Sequence, residues 1–394
     1  MASVACGVKR VGRRLREARV FVRAMQSARH PVAAQIVVTR RCNLACAYCA
    51  EFDHTSAPVP TPVLLRRVDR LAELGTSVIT LSGGEPLLHP DADAIIARIR
   101  ARGAIATLIT NGFLLTRERI RRLNRAGLDY LQISIDNLVP DAISKKSLTL
   151  LDCRLADLAA LAEFQVTINS VVGASTGRAQ DAYDIALRAR RLGFTSTVGV
   201  VHDERGQLRP LDDEHRIVIA RILRLSPSLC SFAQFAHFQR NIVSGQPISW
   251  RCRAGGRFLY ICEEGLVHYC SQQRGRPGIP LETYSPPDLA REASRPKSCA
   301  PLCTVSCVHQ VAMLDRFREQ PHEAMAALVA ERKVSDPAFT LPMPLRFLLW
   351  AFGGPRRPGR ADAKGRAGLE CRMPQSSRTS PPDGGRATLR ERPS

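Results

Sequence analysis

Between residues 35 and 201, short runs rich in Val, Ile, Leu and Thr alternate with longer stretches whose apolar residues recur every three or four positions. β-Branched runs suit buried pleated strands, whereas the longer spacing gives a helix one apolar stripe to bury. Strands that alternate with helices are joined by crossovers, and a crossover brings consecutive strands parallel. Strands are expected at 35–39, 77–81, 104–110, 130–136, 165–172 and 195–201, with helices at 62–74, 91–102, 117–126, 157–163 and 179–192. Gly75, Gly103, Gly127 and Gly193 fall near helix C-termini, where a left-handed residue ends the ladder. Six βα units make an α/β chain folding as a partial (β/α)6 TIM-like barrel. The C-terminal ends of its strands open on one mouth, so motifs placed directly after strands converge there.

After about residue 212 the rhythm changes to helical segments, and a Cys-rich stretch runs from Cys252 to Cys307 with a hairpin-like pattern over 257–270. A helix is expected at 323–333. The apolar run 345–352 is too short to span a bilayer and is expected to pack on the body. The segment 353–394, rich in Gly, Pro, Ser and Arg, reads as a disordered basic tail. The formal charge of +21 is concentrated at the periphery: residues 1–33 carry a net +7 and residues 353–394 a net +6. The body is therefore only mildly basic, few aromatics interleave the cations, and no specific nucleic-acid partner is expected. With neither a signal peptide nor a membrane span legible, the expected location is the cytoplasm. Thirteen cysteines in a reducing compartment point to metal ligands or redox centres before disulfides.

Directly after the first strand comes a Cys-x3-Cys-x2-Cys run at Cys42, Cys46 and Cys49. Thiolates so close converge on one metal centre. Zinc needs a fourth ligand, for which His54 is the neighbour available, whereas an iron-sulfur cluster is held by three thiolates with one iron left open. Strand two ends in Ser82-Gly83-Gly84-Glu85-Pro86, where glycines permit close backbone approach to a ligand and a carboxylate can receive an ammonium group. Strand three ends in Thr110-Asn111-Gly112, strand four carries Ser134 and Asp136 on one face, and strand five carries Asn169.

In this order and on these elements the motifs resemble the radical S-adenosylmethionine (SAM) superfamily, including its aromatic residue before the third cysteine, here Tyr48. The resemblance implies a [4Fe-4S] cluster on Cys42, Cys46 and Cys49, with SAM chelated at the open iron. Reductive cleavage of SAM to a 5′-deoxyadenosyl radical would then modify an organic substrate, a peptide, protein or small metabolite. It also implies that Tyr48 lies near the adenine, that Gly83, Gly84 and Glu85 bind the methionyl amino group, and that Ser134 and Asn169, with Asn111 and Asp136 as further candidates, contact the ribose or carboxylate.

Cys252, Cys270, Cys299, Cys303 and Cys307 resemble the SPASM/twitch extensions of that superfamily, which hold auxiliary [4Fe-4S] clusters. The Cys299-x3-Cys303 spacing departs from the full SPASM pattern, and Cys262 is extra. One auxiliary cluster is expected, on four cysteines not individually identified, with Cys262 facing the core. The expected organisation is a basic arm (1–33), a radical SAM core (34–210), a helical connector (211–249), an auxiliary-cluster region (250–335) and the tail. Cys6, Cys153, Cys230 and Cys371 read as isolated. The implied partners are the substrate and an electron donor such as a flavodoxin or ferredoxin; no catalytic acid, base or nucleophile is assigned. The rival reading is a Cys-rich iron-sulfur or zinc protein that transfers electrons or scaffolds a partner without cleaving SAM.

Overall fold

Six strands, β1 (Ala33–Thr39), β2 (Val78–Gly83), β3 (Ile105–Thr110), β4 (Tyr130–Ser134), β5 (Gln165–Val172) and β6 (Thr195–Val200), run parallel and pair in sequence order. They belong to a computed structural model, which describes residues 2–49, 51–173, 178–203, 207–225, 245–335 and 338–341, with 343 and 346. The crossover helices are α2 (Thr61–Glu73), α3 (Ala92–Ala101), α4 (Arg117–Ala126), α5 (Leu148–Leu161) and α6 (Ala179–Arg191), followed by α7 (Asp213–Arg224). Strand alternation separates two environments. Ile36, Ile79, Leu108, Leu131 and Ile168 point to the helices and join Leu64, Ile95, Leu123 and Leu155 in the main core. The opposite face is polar: Gln35 Nε2 donates to Ser82 Oγ at 2.7 Å, Thr107 donates to Thr80, and Thr197 Oγ1 donates to Asn169 Oδ1 at 2.9 Å.

The helix expected at 157–163 begins nine residues earlier, at Leu148. Its first two turns are apolar on several sides, with Leu150 half exposed, so they present no 3.6-residue period to read.

The Cys-rich region does not build a separate sheet. Strand β7 (Phe258–Ile261) pairs parallel with β1, and β8 (Leu266–His268) and β9 (Pro277–Pro280) continue antiparallel, giving one sheet in the order β6-β5-β4-β3-β2-β1-β7-β8-β9. Helices α8 (Pro286–Ser294), α9 (Ser306–Glu319) and α10 (Pro321–Ser335) complete this side.

Residues 1–33, read as a peripheral arm, instead contain a 25-residue helix, α1 (Ala2–Gln26), laid across the N-terminal ends of the strands. Arg16 Nη2 meets Asp129 Oδ1 at 2.5 Å just before β4, Lys9 pairs with Glu163 just before β5, and Tyr130 donates to Glu17. Arg257, fully buried, donates to His30 O at 2.6 Å and pairs with Asp315 Oδ1 at 3.0 Å, tying this end of the chain to α9. The residues 226–244 of the connector, the apolar run 345–352 apart from 346, the tail 353–394, Cys230 and Cys371 lie outside the described residues.

Candidate active site

Cys42, Cys46 and Cys49 lie on the loop leaving β1, at the C-terminal mouth of the sheet, and backbone hydrogen bonds fix this loop on several sides. Cys42 N donates to Asp53 O, Asp53 N to Arg40 O and Ala47 N to Ile143 O, each at 2.9 Å. Gly84 N reaches Thr39 O and Glu85 N reaches Arg41 O, also at 2.9 Å. A Cβ at Gly83, where φ is +132°, would stand 2.1 Å from Thr39 O, and one at Gly84 would stand 2.2 Å from Arg40 O. The close approach expected at a ligand is therefore occupied, on the Cβ side, by the backbone of the cysteine loop itself.

Glu85 is fully buried, and its carboxylate accepts from Leu87 N at 2.9 Å, Thr110 Oγ1 at 2.8 Å and Asn111 N at 2.8 Å. It ties the end of β2 to the end of β3; burial pushes its pKa up against the pull of those three donors. Asn111 extends the brace, donating to Asn43 Oδ1 at 2.7 Å with Cys42 Sγ 3.8 Å away.

Tyr48 OH donates to Asp136 Oδ2 at 2.6 Å, Ser144 Oγ donates to the same oxygen at 2.6 Å, and Lys146 Nζ lies 3.1 Å from it. Lys146 also bonds the Tyr48 hydroxyl and stands 4.9 Å from its ring centre. Burial and the Asp136 charge drive the Tyr48 phenol far above its ordinary range. Ser144 Oγ is 3.7 Å from Cys46 Sγ. Lys146 and Ser144 escaped the sequence reading because they sit in the connection after β4, in no motif and with no periodicity. Ser134 and Asn169 are paired in register on β4 and β5 and line the polar face.

A second group of thiols forms beside the extension. Cys270 feels Cys307, Cys252 and Cys299, Cys303 feels Cys270, Cys252 and Cys299, and burial is the main cause that pushes Cys270 and Cys307 up to about 12. Cys262 is buried at the end of β7 beside Arg67, which donates to its carbonyl oxygen. The two regions touch: Tyr260 OH donates to Glu51 Oε2 at 2.5 Å, and Arg40 lies 3.6 Å from Glu263.

Among the described residues no three His, Cys, Asp or Glu side chains gather closely enough to hold one metal ion. Burial pushes the thiols of Cys42, Cys49, Cys252, Cys270, Cys303 and Cys307 up, and backbone N–H groups pull against it, as Val305 N does 3.4 Å from Cys303 Sγ. Soft thiolates with N–H donors fit iron-sulfur ligation.

Fold and site together define an α/β partial-barrel enzyme with a thiolate loop at the barrel mouth and a second cysteine group on an extension of the same sheet. The sequence profile of the radical SAM superfamily matches residues 36–204. A PqqA peptide cyclase of Methylocella silvestris is 30% identical over 268 residues, 64% of this chain and 70% of that protein. The Fe-coproporphyrin III synthase of Methanosarcina barkeri is 36% identical over 107 residues, 26% of each chain. Streptococcus suis SuiB bound to precursor peptide SuiA superposes with a TM-score of 0.47 at 15% identity over 72% of each chain. This chain belongs to the radical SAM superfamily and has a SPASM/twitch-like extension. It is an enzyme that uses a [4Fe-4S] cluster and SAM, and cleaves SAM reductively to act on an organic substrate. Among the described residues no helix is long and apolar enough to cross a membrane.

Proposed function

We propose that this enzyme modifies a peptide, with the SAM-cleaving cluster on Cys42, Cys46 and Cys49 and an auxiliary cluster on four of Cys252, Cys270, Cys299, Cys303 and Cys307. The observation that carries the proposal is the seating of the three-cysteine loop against Gly83, Gly84 and Glu85 at the barrel mouth. Held by Cys42, Cys46 and Cys49, a [4Fe-4S] cluster would supply the electron for reductive cleavage of SAM. The chain's own residues hold the loop still. Glu85 locks β2 to β3, Tyr48 is pinned by Asp136 and Lys146, and Asn111 steadies Asn43 beside Cys42. Ser134 and Asn169, on the polar face, are the candidates for contacting the SAM ribose or carboxylate. The peptide class rests on the PqqA peptide cyclases among the relatives. The electron donor is a flavodoxin- or ferredoxin-type carrier, and the site of action is the cytoplasm.

The test is anaerobic cluster reconstitution of the wild type and of the combined Cys42→Ala, Cys46→Ala and Cys49→Ala variant, then reduction with dithionite in the presence of SAM. The wild type is expected to release 5′-deoxyadenosine, and the variant none while retaining iron on the second cysteine group. A variant that still forms 5′-deoxyadenosine overturns the ligand assignment. A reconstituted wild type whose 5′-deoxyadenosine yield responds to small metabolites but to no peptide overturns the substrate class.

A further inference from the structure

Helix α1 packs Val20, Ala24 and Met25 inward near its C-terminal end, but along the rest of its length charged side chains take the inner face. An amphipathic helix on a protein surface normally turns its apolar stripe inward and its charges to water. Here Arg13, Arg16 and Glu17 face the body, engaged with Glu163, Asp129 and Tyr130, while Val11, Leu15 and Val22 are 59%, 58% and 50% exposed. At 100° per residue these three lie within about 40° of one another on the outer face, with Ala18, also exposed, between them. Phe21, 49% exposed, lies on one flank. Half of the large apolar side chains that stand exposed among the described residues belong to this one helix. Scattered singly such residues need no partner, but a continuous stripe along a helix does.

Charge decides which partner. Exposed Arg14 borders the stripe on one side and exposed Arg19 borders it on the other. A second copy of this chain would set those cations against their own images. An anionic bilayer surface suits both features, the apolar stripe entering the boundary of the acyl chains and the guanidinium groups reaching the head-group phosphates.

We propose that the outer face of α1 docks the enzyme on an anionic lipid surface, lying flat along its roughly 37 Å length. Because α1 crosses the N-terminal ends of the strands and the cysteine loop leaves a C-terminal end, the barrel mouth then faces away from the bilayer. The membrane is a platform in this arrangement, and the substrate enters from water.

The full-length protein is tested by flotation with vesicles of equimolar phosphatidylglycerol and phosphatidylcholine, and with phosphatidylcholine alone. The wild type is expected to float with the anionic vesicles only, and raised salt weakens the binding. Combining Leu15→Glu with Val22→Glu is expected to lower the bound fraction about tenfold. Combining Arg14→Glu with Arg19→Glu, which keeps the stripe, abolishes the preference for anionic lipid. Dithionite-driven SAM cleavage stays at the wild-type rate in both, which shows that they fold. A wild type that does not float, an apolar-face variant that floats equally, or a wild-type dimer that Leu15→Glu disperses each overturns the proposal. The second of these results would place binding in another basic segment, and the third would make α1 a protein interface.

Discussion

Replacing Gly84 by Ala tests whether the second motif acts by seating the cysteine loop. The added Cβ would lie 2.2 Å from Arg40 O, 2.5 Å from Arg41 O and 2.7 Å from Arg40 C. These are backbone atoms, so no side-chain rotation relieves the overlap. Restoring ordinary contact requires the loop to retreat by about 1 Å, which strains the hydrogen bonds from Gly84 N to Thr39 O and from Glu85 N to Arg41 O. Overpacking of this kind costs about 1–3 kcal/mol, small enough for a chain of this size to remain folded. A 1 Å displacement of catalytic geometry lowers turnover by about 100-fold. The control is Gly103→Ala, at a residue with φ +80° and nothing within 4 Å of the new Cβ. It costs about 1 kcal/mol of backbone strain and leaves the cysteine loop alone. Both variants would be reconstituted anaerobically and assayed for 5′-deoxyadenosine under saturating dithionite and SAM, with iron content and thermal unfolding measured alongside. Wild-type turnover in Gly84→Ala, or an equal loss in the two variants, refutes the seating argument.

Cys270→Ala is expected to reduce the iron held by the second cysteine group, whereas Cys262→Ala leaves it unchanged; equal iron loss in the two would put Cys262 among the ligands. Arg257→Met removes a fully buried guanidinium from Asp315 and from His30 O. The expected loss is about 3 kcal/mol in urea unfolding, near the lower end for a broken buried pair because Arg253 and Arg318 still face Asp315 at 3.5 and 3.6 Å. His30 is buried against Arg257 and Arg23, and desolvation first, then those charges, lower its pKa from 6.5 to about 4. Its folded pKa lies below its unfolded one, so the unfolded chain takes up the proton first. The stabilisation is complete above pH 6.5 and is lost as the pH falls toward 4. His30→Gln is expected to flatten that part of the pH–stability curve, and an unchanged slope would show that other groups set it.

What the sequence determined was local. β-Branched runs located β1 to β6 to within two residues at every end, because each strand buries one face whose period is written in consecutive residues. The cysteine and glycine motifs were legible for the same reason, as fixed spacings on one loop or turn. Where no period existed, at the start of α5, the reading failed.

What the tertiary structure decided were relations between segments far apart in the chain. It set β7 beside β1, so the extension continues the barrel's own sheet. It brought the backbone of residues 39–41 against Gly83 and Gly84 and turned Glu85 into a brace between two strands. Nothing in the sequence pattern around Lys146 announces its contact with Tyr48, 98 residues away. Residues 1–33 show the division most plainly: their composition predicts a basic arm, yet the helix they form turns part of that charge inward. Asp129 and Glu163 supply partners for its cations, Tyr130 donates to Glu17, and the apolar stripe is left facing out. Periodicity tells a helix that it has two faces; which face meets the protein depends on charges that other elements bring to it.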